Sequence, residues 1–178
     1  MHLQSSAVTA ASLLLATLLS WPVQAQASWR EQLPAAELVG EGTLRYFGLR
    51  IYDARLWSAA ADFDPQKAFA LELTYHRSIS RDALVETSMD ELRRLADASI
   101  SEAQLLDWQT QMNHAFVDVE PGQRITGVFL PGEGARFYVG ERLQHEVRDA
   151  QFARAFFAIW LDPRSRDRGL RARLLGLR

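Results

Sequence analysis

The chain has 178 residues, 48 % of them hydrophobic and 24 % charged, with a formal net charge of −2 at pH 7. That balance belongs to ordinary globular domains, excludes disordered and collagenous compositions, and gives no reason to expect nucleic acid as a partner. With no cysteine, disulfides, thiolate chemistry, cysteine-held zinc, iron–sulfur clusters and c-type haem attachment are excluded.

Residues 1–27 contain no Asp, Glu, Lys or Arg, and Ala7–Leu19 is apolar apart from small Thr and Ser. Val23-Gln24-Ala25, or Ala25-Gln26-Ala27 just after it, matches the small-residue pattern a signal peptidase accepts. The apolar run falls short of the ~20 residues that span a bilayer, and Pro22 breaks it before the cleavage site. Residues 1–25 are therefore expected to be a cleavable secretory signal that exports the protein to the periplasm, with no transmembrane segment left after cleavage. A single domain over 28–178 is expected to follow, held by its packed core alone.

Glu37 to Ser58 is β-rich and punctuated by Gly40, Gly42 and Gly48, with a hairpin turn expected at Phe47-Gly48-Leu49. In its second arm Arg50, Tyr52, Ala54 and Leu56 alternate against Ile51, Asp53, Arg55 and Trp57. A third strand, Phe69 to Tyr75, groups Phe69, Leu71, Leu73 and Tyr75 on one face, opposite Ala70, Glu72, Thr74 and His76. Ser80 reads as the N-cap of a helix to about Ala96 whose apolar side carries Leu84, Val85, Met89, Leu92 and Leu95. Ser101 and Gln104 form a capping-box pattern that opens a second helix with Leu105, Trp108 and Met112.

After Pro121-Gly122, strands are expected at Gln123–Leu130 and Ala135–Val139 around the Pro131–Gly134 turn, then a short one near Leu143–Val147. Asp149 caps a helix carrying Phe152, Ala155, Phe156, Ile159 and Trp160, which Asp162-Pro163 ends, and Arg166 to Leu175 reads as a last helix. The fold class is thus α+β, with helices packed on a sheet.

Four segments in this order resemble the chalcone-isomerase-like family, most of all its bacterial exported branch. They are Leu38-Val39-Gly40-Glu41-Gly42, Gly48 to Trp57, Phe116 with Pro121 to Ile125, and Phe152 to Ser165. The resemblance covers nearly all of the chain after the signal. It implies an antiparallel β-sheet with helices layered on one face, an open-faced β-sandwich with a ligand cleft between sheet and helices, and no cofactor.

The plant reaction of that family is a cofactor-free ring closure, which needs guanidinium and hydroxyl donors to stabilise phenolate and enolate charge. By the resemblance, the functional Arg falls within Gly42 to Leu44, where no Arg stands, and Arg45 is the candidate substitute. The catalytic Thr corresponds to Tyr52, and the helical Tyr and Asn fall near Leu84 and Glu91. One hydroxyl is thereby lost and a carboxylate, repulsive beside an enolate, replaces an amide. A late hydroxyl is kept as Ser165. Chalcone isomerisation is not expected.

Arg45, Tyr52, Tyr75 and Ser165 are the candidate ligand-binding residues. Asp53 and Arg55 share a face and are expected to pair beside Trp57. His76, His114 and His145 lack metal-ligand spacing, so no metal is expected; no G-x-S-x-G, P-loop or G-x-G-x-x-G is present either. The six arginines from Arg164 to Arg178 fit a solvated amphipathic helix better than a contact with anionic lipid.

Because the family it resembles includes fatty-acid-binding members and the catalytic positions are lost, the favoured expectation is a non-catalytic periplasmic protein that holds a fatty acid or similar amphiphile. It requires a ligand-sized apolar cavity. An isomerase or intramolecular lyase would instead need Arg45, Tyr52 and Tyr75 to converge on one pocket. An interaction protein without a ligand would fill that space with Trp57, Phe156 and Trp160.

Overall fold

The computed structural model describes residues 28–60 and 62–177; the expected signal, residues 1–25, lies outside the described residues. Six strands form one antiparallel sheet in sequence order, β1 (Glu37–Tyr46), β2 (Leu49–Ser58), β3 (Phe69–Tyr75), β4 (Arg124–Leu130), β5 (Gly134–Val139) and β6 (Arg142–Val147). The expected hairpin turn is confined to Phe47 and Gly48, both at positive φ, 48° and 79°, the backbone of the two-residue turns whose twist suits a hairpin. Leu49 already belongs to β2.

The period-2 alternation fixes which side of each strand is buried. Ala54, Leu56, Phe69, Leu71, Leu73, Tyr75, Ile125, Phe129 and Phe137 join the main core under α2 (Arg81–Leu95), α3 (Glu102–Ala115), α4 (Ala150–Leu161) and α5 (Arg168–Leu174). The caps are those expected: Ser80 accepts from Ala83 N, Ser101 and Gln104 close the capping box, and Asp149 accepts from Gln151 N and Phe152 N. The last helix is shorter than the Arg166–Leu175 span, because Asp167 serves as its N-cap.

The four helices share one face of the sheet, but the other face is not bare. A single turn that the periodicity did not show, α1 (Trp29–Gln32), is capped by Ser28. It lays Trp29 on that face with Leu33, Ala70, Val128 and Tyr138, against a partly buried Trp57. The guanidinium of Arg30 stacks over both indoles, 4.3 and 4.5 Å from the ring centroids, a favourable cation–π arrangement.

On the helical face α5 approaches β1 so closely that a Cβ on Gly40 would collide with the carbonyl groups of Arg173 and Leu174, and one on Gly42 with Leu170 and Arg173. These two glycines are what lets the end of the chain seal one side of the core.

Candidate functional site

Between the sheet and the helices lies a cavity of about 640 Å3, within the usual range for small-molecule sites. Its floor includes Leu71, Leu73 and Ile125, and its roof Leu84, Phe156, Phe157 and Trp160. Gly127 belongs to the floor, where an added Cβ would stand 3.0 Å from Cζ of Phe157. Phe156 and Trp160 line the space rather than filling it, and Trp57 sits in the cluster on the opposite face. The aromatic residues that could have blocked a ligand therefore leave the cavity open.

Apolar side chains make up most of this lining, and Tyr52 is central among the polar ones. Its hydroxyl accepts a hydrogen bond from Trp160 Nε1 at 2.9 Å, leaving the phenolic proton free to be donated. Burial pushes that hydroxyl well above the usual phenol range despite the Trp160 bond, and the charges of Asp167 and Glu91 add to the shift. Tyr75, opposite Tyr52 in the β2–β3 register, meets it edge to face with ring centroids 5.9 Å apart. Burial pushes the Tyr75 hydroxyl upward as well, and among the described residues it makes no hydrogen bond. Both phenols are thus neutral donors at neutral pH rather than bases.

Ser165 is buried and lines the same cavity, its backbone N–H bonded to Asp162 O at 2.9 Å in the turn after α4. Leu84 and Glu91, the positions to which the resemblance carried a Tyr and an Asn, also line it. The Glu91 carboxylate is buried and does not face the cavity as a free charge. One oxygen pairs with Arg166, and the other accepts from Arg94 Nε at 3.0 Å. Arg166 is the contributor that sequence reasoning missed. The only signal was the arginine-rich turn after Asp162-Pro163, which gives no hint of a partner on α2.

Arg45 lines the cavity at its rim, is exposed, and donates from Nη1 to Gly48 O of its own hairpin at 3.3 Å. Among the described residues no hydrogen bond joins it to Tyr52 or Tyr75. Arg45, Tyr52, Tyr75 and Ser165 thus border one cavity, with Arg45 at its opening and the three hydroxyls inside.

The expected pairing of Asp53 with Arg55 does not form. Residues two apart on one strand lie farther from each other than from the residues across the strand gap. Asp53 instead accepts from Thr43 Oγ1 at 2.6 Å and Arg50 Nη2 at 2.9 Å, and meets His76 Nε2 at 2.8 Å. Arg55 pairs with Glu41 at 2.9 Å and lies 3.9 Å from the buried Glu72. Partial burial opposes ionisation of Asp53, but the hydrogen bonds from Thr43, His76 and Arg50 outweigh it and hold the carboxyl at about 2.

Asp53, Thr43, Arg50, Arg55 and Glu41, with Asp167 and Arg173, border an open polar groove of about 590 Å3 along β1 and β2, which shares only Arg45 and Asp167 with the cavity. His145 meets Gln111 Oε1 at 2.9 Å, and among the described residues no three His, Cys, Asp or Glu are placed to hold a metal ion. In the arginine-rich tail, Arg164 pairs with Asp162, and Arg171 donates from Nε to Leu161 O at 2.8 Å.

Comparison with known proteins agrees with this architecture. Over 139 residues the chain is 24 % identical to an uncharacterized protein of Haemophilus influenzae, covering 78 % of this chain and 67 % of that protein. Its fold is similar to the crystal structure of a fatty-acid binding protein of Arabidopsis thaliana, with a TM-score of 0.60 and 12 % identity over 79 % of this chain and 87 % of that one. A family model described as chalcone isomerase-like matches residues 34–176.

Proposed function

The chain belongs to the chalcone isomerase-like family, and from that premise we propose that it is a non-catalytic periplasmic protein that holds a fatty acid or similar small amphiphile. The observation that carries this reading is the cavity of about 640 Å3, apolar along most of its wall, with the buried hydroxyl-bearing residues Tyr52, Tyr75 and Ser165 in its lining. An acyl chain would lie between Leu71, Leu73 and Ile125 below and Phe156 and Phe157 above, each buried methylene contributing about 0.8 kcal/mol. Its carboxylate would accept from the hydroxyls of Tyr52, Tyr75 and Ser165, with Arg45 at the opening. Arg45 and Arg166 balance Glu91 and Asp167 in the lining, and Arg94 adds a further positive charge behind Glu91.

Ring-closure chemistry is not part of this reading. The exposed Arg45 donates to its own hairpin carbonyl, and among the described residues no hydrogen bond brings it together with Tyr52 or Tyr75, as stabilising an enolate inside the cavity would require. Export rests on the charge-free, apolar residues 1–27 and the small-residue sites at Ala25 and Ala27.

The test is native mass spectrometry of the protein purified from its own cell envelope, followed by calorimetric titration with a long-chain fatty acid, for wild type and Arg45→Ala. A co-purifying amphiphile, weaker in Arg45→Ala, is the expected result. A wild-type protein that is empty and takes up no added fatty acid overturns the binding reading. Amino-terminal sequencing of the same material tests export, with a start just after Ala25 or Ala27 expected and an intact Met1 overturning it.

A further inference from the structure

The tip of the β1–β2 hairpin is apolar where a soluble protein has no folding reason to make it so. Tyr46, Phe47 and Leu49 are 65 %, 87 % and 49 % exposed, and the Tyr46 and Phe47 rings pack only edge to face on each other, with centroids 4.5 Å apart. Phe47 also has a φ of 48°. Asn, Asp or Gly adopts that left-handed conformation most readily, and for a bulky residue it is strained. An aromatic side chain held there, almost fully in water, contributes nothing to the core and costs backbone energy. Such a combination points to a role outside the fold.

The surroundings indicate what the tip meets. Arg45 and Arg50 flank it, one on each strand, Arg50 also pairing with Asp53 at 2.9 Å. Arg45 and Tyr46, both exposed, line the cavity together with Leu44 and Ile51, so the cavity opens beside the tip. A narrow two-residue turn offers far less than the ~800 Å2 per partner of a standard protein interface. Aromatic and aliphatic side chains projecting beyond a collar of guanidinium groups do fit the boundary between lipid headgroups and acyl chains.

We propose that Tyr46, Phe47 and Leu49 insert into the interfacial layer of a phospholipid bilayer, seating the mouth of the cavity against the membrane. Docking itself does not depend on the binding reading above. Its use, exchange of an acyl ligand between bilayer and cavity without passage through water, does rest on that reading.

The experiment is co-sedimentation of the protein purified from its own cell envelope with vesicles of phosphatidylcholine mixed with phosphatidylglycerol, for wild type, Phe47→Asn and Phe47→Trp. Asn suits the turn at Phe47 and Trp keeps its apolar bulk, so both variants fold. Phe47→Asn is expected to lower partitioning roughly tenfold or more. Phe47→Trp is expected to retain it, and to gain indole fluorescence over wild type that brominated lipid quenches. Equal partitioning of wild type and Phe47→Asn overturns the proposal, as does a tip that mediates self-association while ignoring vesicles. Fatty-acid titration of Phe47→Asn without vesicles separates the two readings. Normal uptake with lost sedimentation supports docking beside an intact cavity, whereas sedimentation without uptake in any variant supports docking and removes the binding reading.

Discussion

Trp160 donates from Nε1 to the hydroxyl oxygen of Tyr52 across 2.9 Å, joining α4 to β2 in the wall of the cavity. The bond engages the acceptor side of the phenol and leaves its proton for a ligand. Burial keeps that phenol neutral, so the pair forms a fixed hydrogen-bond donor rather than a base.

Replacing Tyr52 by Phe leaves the Trp160 indole N–H without its partner in a buried setting. A loss of about 1–3 kcal/mol in stability is expected, read by urea denaturation, together with weaker uptake of fatty acid. Adding Trp160→Phe to that variant removes the orphaned donor and is expected to recover part of the stability but none of the affinity. Equal affinity of wild type and Tyr52→Phe would take Tyr52 out of the ligand site.

Glu91 holds Arg166 and Arg94 at the cavity wall. In Glu91→Gln the negative charge goes and Arg166 is released toward the ligand. Affinity for a fatty acid is expected to rise several-fold while that for the matching fatty alcohol stays level, with about 1–3 kcal/mol of stability lost. A parallel change for both ligands in calorimetric titration would show that Glu91 acts on packing and not on charge.

Leu84 projects from α2 into the cavity lining. Leu84→Trp is expected to block the acyl chain and abolish binding while holding or raising the melting temperature, since filling a pre-existing cavity commonly stabilises by about 0.5–2 kcal/mol. Unchanged binding in this variant would place the ligand elsewhere.

Asp53 titrates at about 2 in the folded protein and at about 3.9 in an unfolded chain. Its folded value is the lower one, so its contribution to stability is fully present above about pH 4 and is lost as pH falls toward 2. Denaturation measured across that window is expected to show a shallower acid loss for Asp53→Asn than for wild type. Identical slopes would mean that Thr43, Arg50 and His76 do not hold the carboxylate in solution.

Gly40 lies under the carbonyl groups at the end of α5. Gly40→Ala is expected to lift α5 from β1, and hydrogen exchange would read this as loss of protection confined to Arg168–Leu174. Full protection there would show that the sheet edge yields instead.

Much of this architecture was legible from local signals. Strict alternation in Phe69, Leu71, Leu73 and Tyr75 determined which face of β3 is buried, and Ser80, Ser101 and Asp149 marked helix starts through side chains that satisfy free N–H groups. The turn at Phe47-Gly48 followed from a glycine between two strand-like runs. Such signals act over a few residues, so they define elements and faces. They missed α1 because its one turn takes its stability from Trp29 packing on the sheet rather than from its own periodicity.

Tertiary structure decided the rest. Alternation placed Asp53 and Arg55 on one face, but the cross-strand register gave Asp53 to Thr43 and Arg55 to Glu41. The pairing of Glu91 with Arg166 and the bond from Trp160 to Tyr52 each join residues distant in the chain, and no local pattern encodes such a meeting. Whether Phe156 and Trp160 fill the space over the sheet or merely wall it depends on how far four helices stand from six strands. That separation is set by the summed volumes of side chains from every element at once, so the cavity belongs to the packed fold and to no single stretch of sequence.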